Sequence, residues 1–595
     1  MSRTPDPTAR PSTSWARDVA LLTLAFGALY FFRLGGYPLS NPDEGRYAEI
    51  PREMLATGDW ITPRLNGVNY FEKPPLVYWA TAVMEKIFGC NEWSVRAVPV
   101  LFSLWGVLVT YAVGRRLHGR DAGLLAAIVL GTSLLWFVVG HIPLLDTAVS
   151  VLMAQALFAF LLGVREPAGT TRRVFFYGLY ASMALATLAK GLIGFLVTGA
   201  VMFLWLLVFN QWRRLRPLYL PTGALLFLAI AAPWHVLAAL HNETWVHRYF
   251  VVEHFERFLT PAASRPGPLH YFVWIVVAGL IPWTGFLWPA VREAVCRAGS
   301  PNPAVPPNAA GSGDPALQRS PQGLRAVWAR RKENADAWFL VTWVVFVFFF
   351  FSVSKSKLPP YILPIFPALA VLLGAWLAQV LAERSAAPLR GGLRVFTFLN
   401  GLLAAALLAA VLKPGLVIRD PVQLAALRTP AIAMAVVLLV GGVIAPWLAR
   451  MRGPRPAIWG MAMAMAAFLI VVQCAAPDIN KPGTKELALL VRERAQPGDR
   501  VMHYHEFFHD FTFYAARLVD VVAFKGELEL EEDAAARESG RFMDEEKFRS
   551  LWTQPGRIFA VARKKDVNGK LFADSAFRYH LLAESPDHCL FSNQP

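Results

Sequence analysis

Charge is scarce in this chain. Asp, Glu, Lys and Arg make up 17% of its 595 residues, while 55% are hydrophobic; ordinary soluble domains carry about 25% and roughly 45–50%. That balance excludes a disordered or fibrous protein and argues strongly against a soluble one. Cysteine is scarcer still. Cys90, Cys296, Cys474 and Cys589 are too few and too scattered for a disulfide framework or a CxxC metal site. No internal repeat is visible. No Lys/Arg-rich face with interleaved aromatics accompanies the net charge of +16, so a nucleic-acid partner is not expected.

The position of the charge is more telling than its sum. Residues 477–595 hold 17 Lys and Arg against 20 Asp and Glu, or −3, which leaves +19 on the rest. That remainder holds nearly all the long apolar runs. Thirteen of them approach the length that crosses a bilayer, near 19–36, 97–114, 122–140, 147–164, 174–189, 191–210, 218–240, 271–290, 337–353, 360–381, 393–412, 431–449 and 457–473. The first has an Arg-containing leader but no clear A-x-A site, and reads as an uncleaved span. With the N-terminus inside, basic groups such as Arg115-Arg116, Arg172-Arg173, Arg213-Arg214-Arg216 and Arg450/Arg452/Arg455 fall on inner loops. Everything after Ala475 then falls outside.

The expected fold class is therefore an α-helical polytopic membrane protein with a C-terminal soluble α/β domain, divided into residues 1–476 and 477–595. Two outer segments, 37–93 and 241–270, suit helices lying in the membrane interface. The inner loop 297–335 reads as a flexible linker. In the tail, RVMHYHEF, LVDVVAF and RIFAVAR read as strands, and KELALLVRERA and DEEKFRSLW as helices.

Several outer-face residues carry chemistry as well as structure. Asp43 and Glu44, beside Arg46 and Tyr47, can serve as base, metal ligand or cation partner, or simply open a helix. Glu72-Lys73 sits between aromatics and two prolines, where Lys73 can also snorkel to the interface. Asp146 begins the fourth span, near His141. Lys190 interrupts about 35 apolar residues, an expensive position unless it faces water or an anion. Glu253, His254 and Arg257 follow on one predicted helix. Lys355 and Lys357 lie outside, against the usual charge trend, and suit a phosphate. A divalent metal, zinc or magnesium, is conceivable on Glu72 and His254, although no HExxH-type spacing supports it. His503, His505 and His509 form a weaker set, and no organic cofactor is indicated. Together Lys73, Lys190, Arg257, Lys355 and Lys357 suit a substrate with a phosphate at the headgroup and a tail between helices. A transporter would place such charges at the bilayer midplane.

At DEGRYAEIPREM, YFEKPPL, the Asp of HIPLLD, ERF and SKSKLPPYILPIFPALA the sequence resembles the GT-C polyprenyl-phosphate glycosyltransferases. The nearest likeness is the aminoarabinose (4-amino-4-deoxy-L-arabinose) lipid A transferase family, with protein O-mannosyltransferases farther off. The resemblance implies an enzyme of the bacterial inner membrane, with its active site and C-terminal domain in the periplasm. Its donor would be an undecaprenyl-phosphate sugar and its acceptor lipid A among the membrane lipids, with resistance to polymyxin-like peptides as the outcome and a monomer as the favoured state. By motif match, Asp43, Glu72 and Asp146 take catalytic positions, and Lys73, Lys190, Arg257, Lys355, Lys357 and Tyr361 bind the donor phosphate. Glu44, Arg46 and Tyr47 would complete the site.

Overall fold

The structure, a computed structural model, describes residues 13–256, 266–296 and 331–595, apart from 332–333, 414, 416, 419, 481–482, 525, 527, 529 and 531–532. All thirteen apolar segments fall on helix, but not as thirteen equal spans. Eight helices among the described residues are long and apolar enough to cross a membrane: Glu92–His118 (α4), Leu145–Gly163 (α7), Leu220–His241 (α10), Ala335–Val353, Pro359–Ala382, Ala387–Leu412, Pro421–Met451 and Pro454–Ile479. The pair Tyr271–Gly279 and Thr284–Cys296, bent by 106°, makes a ninth when counted as one span.

The other four segments depart for local reasons. Thr13–Phe31 (α1) carries Arg17 and Asp18 near its start. Segment 122–140 is divided into Arg120–Gly131 (α5) and Leu134–Val139 (α6). At that break the hydroxyls of Thr132 and Ser133 turn back to donate to the Ile128 and Val129 carbonyls, each at 2.6 Å, and the Leu134 N–H donates to Ile281 O at 3.1 Å. The freed backbone is thus satisfied by neighbours, as a low-dielectric setting demands. Thr170–Lys190 (α8) starts on polar residues, and Ile193–Phe209 (α9) is 17 residues long.

Helix α7 is the hub: 94% of its spanning window is buried, against 22% for α10 and for Ala387–Leu412. Small residues set the closest approaches. A Cβ on Gly374 would lie 2.5 Å from Ala126 N, so Pro359–Ala382 lies almost backbone to backbone against α5.

The two ends of the bundle differ. At one, buried Asp18 binds Arg115 at 3.0 Å, Arg120 at 2.6 Å and the Tyr111 hydroxyl at 2.9 Å, and Arg116 pairs with Glu166 at 2.8 Å. At the other stand Asp43–Thr57 (α2), a hairpin of Arg64–Leu65 (β1) and Val68–Asn69 (β2), Leu76–Phe88 (α3) and the C-terminal domain. The hairpin turns on Asn66 and Gly67, both with positive φ, the pairing that a tight two-residue turn favours.

The last spanning helix runs to Ile479, three residues past the expected boundary at 476. Beyond it a six-stranded mixed sheet has the order β5-β4-β3-β6-β8-β7, with strands Arg500–Tyr504 (β3), Asp520–Val522 (β4), Phe542–Met543 (β5), Ile558–Arg563 (β6), His580–Glu584 (β7) and His588–Ser592 (β8). Strands β5, β4, β3 and β6 run parallel; β8 is antiparallel to β6 and β7.

Candidate active site

Helix α2 opens on its chemistry. Asp43 is its first residue, and its carboxylate pairs with Arg46 one turn on. The Asp43 side chain keeps 41% of its surface exposed while Arg46 is nearly buried. The Arg46 guanidinium lies over the Tyr47 ring at 5.1 Å, and that ring stacks on Tyr78 with centroids 6.0 Å apart. Burial pulls the Arg46 pKa down, but Tyr70, Tyr47, Glu72 and Asp43 around it more than offset this, and the net shift is upward. Burial pushes the Tyr47 phenol up, and Glu72, Asp43 and Asp146 add to it against Arg46, so Tyr47 stays protonated. One phenol thus lies within electrostatic reach of three separate carboxylates.

Glu72 precedes Lys73, whose ammonium lies 3.8 Å from the Glu72 carboxylate and donates to the Glu72 backbone carbonyl at 2.8 Å. Asp146, in the first turn of α7, forms a largely buried ion pair with Lys190 at the end of α8. The Lys190 ammonium also lies 4.8 Å above the Tyr361 ring. Asp43, Arg46, Tyr47, Glu72, Lys73, Asp146, Lys190 and Tyr361, from five separate stretches of chain, therefore share one end of the bundle.

The other described site candidates make separate contacts. The Glu44 carboxylate is taken up by Arg96, at 2.9 and 2.8 Å, and by Ser40. Lys357 is buried and donates to Ser354 O at 2.7 Å, while Lys355 is exposed. His141 is held by the Phe137 and Tyr30 carbonyls at 2.6 and 2.9 Å, within the packing. Arg257, the side chain of His254 and most of the loop 297–335 lie outside the described residues. No group of three or more His, Cys, Asp and Glu side chains converges as a metal site among the described residues. His503 and His509 are buried in the tail, and burial pushes the pKa of each down to about 3.

Sequence reasoning passed over Tyr70, whose hydroxyl is buried with no hydrogen-bond partner among the described residues and lies within electrostatic reach of Glu72, Arg46, Tyr47 and Tyr78. It stands two residues before Glu72 in the same motif, which was the available signal. It also passed over Arg96, buried inside α4, which ties the first loop to the bundle.

The profile of the dolichyl-phosphate-mannose-protein mannosyltransferase family matches residues 72–236. The undecaprenyl phosphate-α-4-amino-4-deoxy-L-arabinose arabinosyl transferase of Erwinia tasmaniensis is 31% identical over 414 residues, covering 68% of this chain and 67% of that one. The chain belongs to that arabinosyl transferase family. The same enzyme of Edwardsiella ictaluri is 30% identical over 392 residues, 66% of this chain; the match spans 64% of that relative's length. A structural likeness extends further than the sequence match. The crystal structure of ArnT from Cupriavidus metallidurans bound to undecaprenyl phosphate superposes with a TM-score of 0.81 at 28% identity, covering 98% of both chains. This family member is thus a multi-pass membrane protein of the GT-C type over its whole length, C-terminal domain included. The archaeal oligosaccharyltransferase AglB from Archaeoglobus fulgidus, at 12% identity and a TM-score of 0.50, shares the fold.

Proposed function

We propose that the protein moves 4-amino-4-deoxy-L-arabinose from undecaprenyl phosphate to a lipid A phosphate at the periplasmic face of the inner membrane, acting as a monomer. The observation that carries this reading is the meeting of Asp43, Arg46, Glu72, Asp146, Lys190 and Tyr361 at one end of a helical bundle of this family.

The chemistry follows from the charges. An anionic oxygen of the acceptor phosphate attacks C1 of the sugar, and the bond from C1 to the donor phosphate oxygen breaks. Undecaprenyl phosphate departs with the electron pair, through an oxocarbenium-like state that a carboxylate stabilises. Nucleophile and leaving group are both phosphates, so no proton has to be removed from the acceptor. Asp43 then acts by orienting the acceptor or holding the sugar's amino group, and would be a general base only toward a hydroxyl acceptor. Lys73 and Lys190 stabilise charge on the departing phosphate, a role that the motif resemblance also gives to Arg257, Lys355 and Lys357. Glu72 and His254 are the pair that would hold a divalent cation, and no step above is routed through one. Capping a lipid A phosphate with an amino sugar reduces its negative charge, which weakens capture of cationic peptides such as polymyxin.

Mass spectrometry of lipid A from cells with and without the gene tests this directly. The expected result is aminoarabinose-modified lipid A only when the gene is present, and its loss in the Asp43→Asn variant at normal protein levels. Unmodified lipid A in both strains, or modification of another acceptor, overturns the substrate assignment.

A further inference from the structure

Helix α2 carries Asp43 and Arg46, and its N-cap, Pro42, makes no side-chain capping bond. Besides the Glu44 contacts to Ser40 and Arg96, the stretch is tied to the C-terminal domain. Asn41 and Asp510, 469 positions apart, form a reciprocal pair. The Asn41 amide donates to Asp510 Oδ1, and the Asp510 backbone N–H donates back to Asn41 Oδ1 at 3.0 Å. The same wholly buried carboxylate accepts from the Thr484 N–H at 2.7 Å and the Thr484 hydroxyl at 2.9 Å. Gly45, two residues after Asp43, lies directly beneath this loop; a Cβ there would stand 2.4 Å from Asp510 N and 2.7 Å from the His509 carbonyl carbon. Leu39 N–H donates to the Tyr514 hydroxyl at 2.8 Å. His509 is buried close enough to Arg46 to feel its charge.

A buried carboxylate is costly to desolvate, and burial raises the Asp510 pKa; the Asn41 amide and the Thr484 N–H and hydroxyl offset part of that cost, with no cationic partner among the described residues. A buried group held by several donors fixes geometry closely. We propose that Asp510 is a positioning residue for sugar transfer: through Asn41 and Gly45 it sets where α2 begins, and so where Asp43 and Arg46 stand. The C-terminal domain is on this view part of the catalytic unit. The inference rests on the reading of Asp43 as a site residue of the transferase.

The test uses the full-length protein in detergent, with undecaprenyl phosphate-aminoarabinose as donor and lipid A as acceptor. Asp510→Asn and Gly45→Ala should each lower kcat by about 10- to 100-fold, because displacements near 1 Å at reacting groups cost that much, and leave the donor KM within about twofold. Hydrogen exchange should rise at the amides of Asp43–Tyr47 while β3 and β6 stay protected. Exchanging the partners, Asn41→Asp with Asp510→Asn, should recover part of kcat, which a bulk folding defect would not allow. Wild-type kcat with unchanged exchange in α2 overturns the proposal; so does a loss of kcat that comes with exchange throughout the C-terminal sheet. If wild-type protein transfers no aminoarabinose, the transferase reading fails, and exchange in α2 still decides the clasp: unchanged protection in both variants overturns it.

Discussion

Lys190 and Asp146 show how far single residues can be read. An ammonium amid some 35 apolar residues needs an anion or water, and the structure supplies Asp146 from the neighbouring helix. Removing one partner of a buried ion pair strands the other and costs roughly 3–5 kcal/mol, whereas removing both costs far less. Lys190→Met and Asp146→Asn should therefore each lower the melting temperature in detergent, and the double variant should lie above the sum of the two losses. Additive losses would mean that the pair is not coupled. Glu44 was legible only as an acid. Its partner Arg96 lies 52 positions away, and nothing local announces a pairing of that span. Asn66-Gly67 was legible and passed over: it is a standard hairpin signal. The turn is anchored by Glu53, which accepts from the Asn66 and Gly67 N–H groups at 2.5 and 2.9 Å. Burial first, then neighbouring Glu49, pushes the Glu53 carboxyl up to about 8 from an ordinary 4.5. Between those values the folded state holds more protons than the unfolded chain, so this contribution is complete below about pH 4.5 and is lost as pH rises through 8. Burial shifts Glu49 and Glu85 in the same direction. Above the range where the buried histidines titrate in the unfolded chain, the melting temperature should fall from pH 7 to pH 9, and less steeply in Glu53→Gln. An equal slope in the two proteins would remove Glu53 from the account.

At the scale of elements, apolar length located the long hydrophobic helices among the described residues, because each long run must satisfy its own backbone within the bilayer, but it missed the short apolar α3. It could not show where a span breaks. The division at Thr132-Ser133 depends on an acceptor in another segment, Ile281 O. In the tail, β3, β4 and β6 were legible from their apolar, β-branched runs. Strand β8 was not: HCLFS is fully buried and does not alternate, and its place between β6 and β7 comes from long-range pairing. Close helix approach is likewise set by glycines that sequence alone does not rank. Gly374→Val would drive a branched side chain into the α5 backbone, where even a Cβ would lie 2.5 Å from Ala126 N. Overpacking of this kind typically costs 1–3 kcal/mol. A clear fall in melting temperature is expected, whereas Gly391→Val, where a Cβ meets nothing within 4 Å, should change it little.

The whole molecule is polarised along the membrane normal. Helix α7 has Asp146, of the candidate site, in its first turn and is followed at its far end by Arg165 and Glu166. Helix α4 begins at Glu92, which pairs with Lys485 of the C-terminal domain, and ends on Arg115 and Arg116. Both helices thus run from the end that bears the site and the sheet to the end that bears Asp18 and its arginines. Basic clusters are retained on the cytoplasmic side. On that rule, charge on the arginine end predicts that the site and the C-terminal domain face the periplasm, the side the proposed lipid A acceptor requires. The expectation is checked by joining a reporter after Pro595, just beyond β8. Alkaline phosphatase should be active there and a fluorescent protein that matures only in the cytoplasm should stay dark. The reverse pattern would put Asp43, Glu72 and Asp146 on the cytoplasmic side along with the sheet, because the clasp between Asn41 and Asp510 holds both to one face. It would then overturn the lipid A reading as well as the orientation.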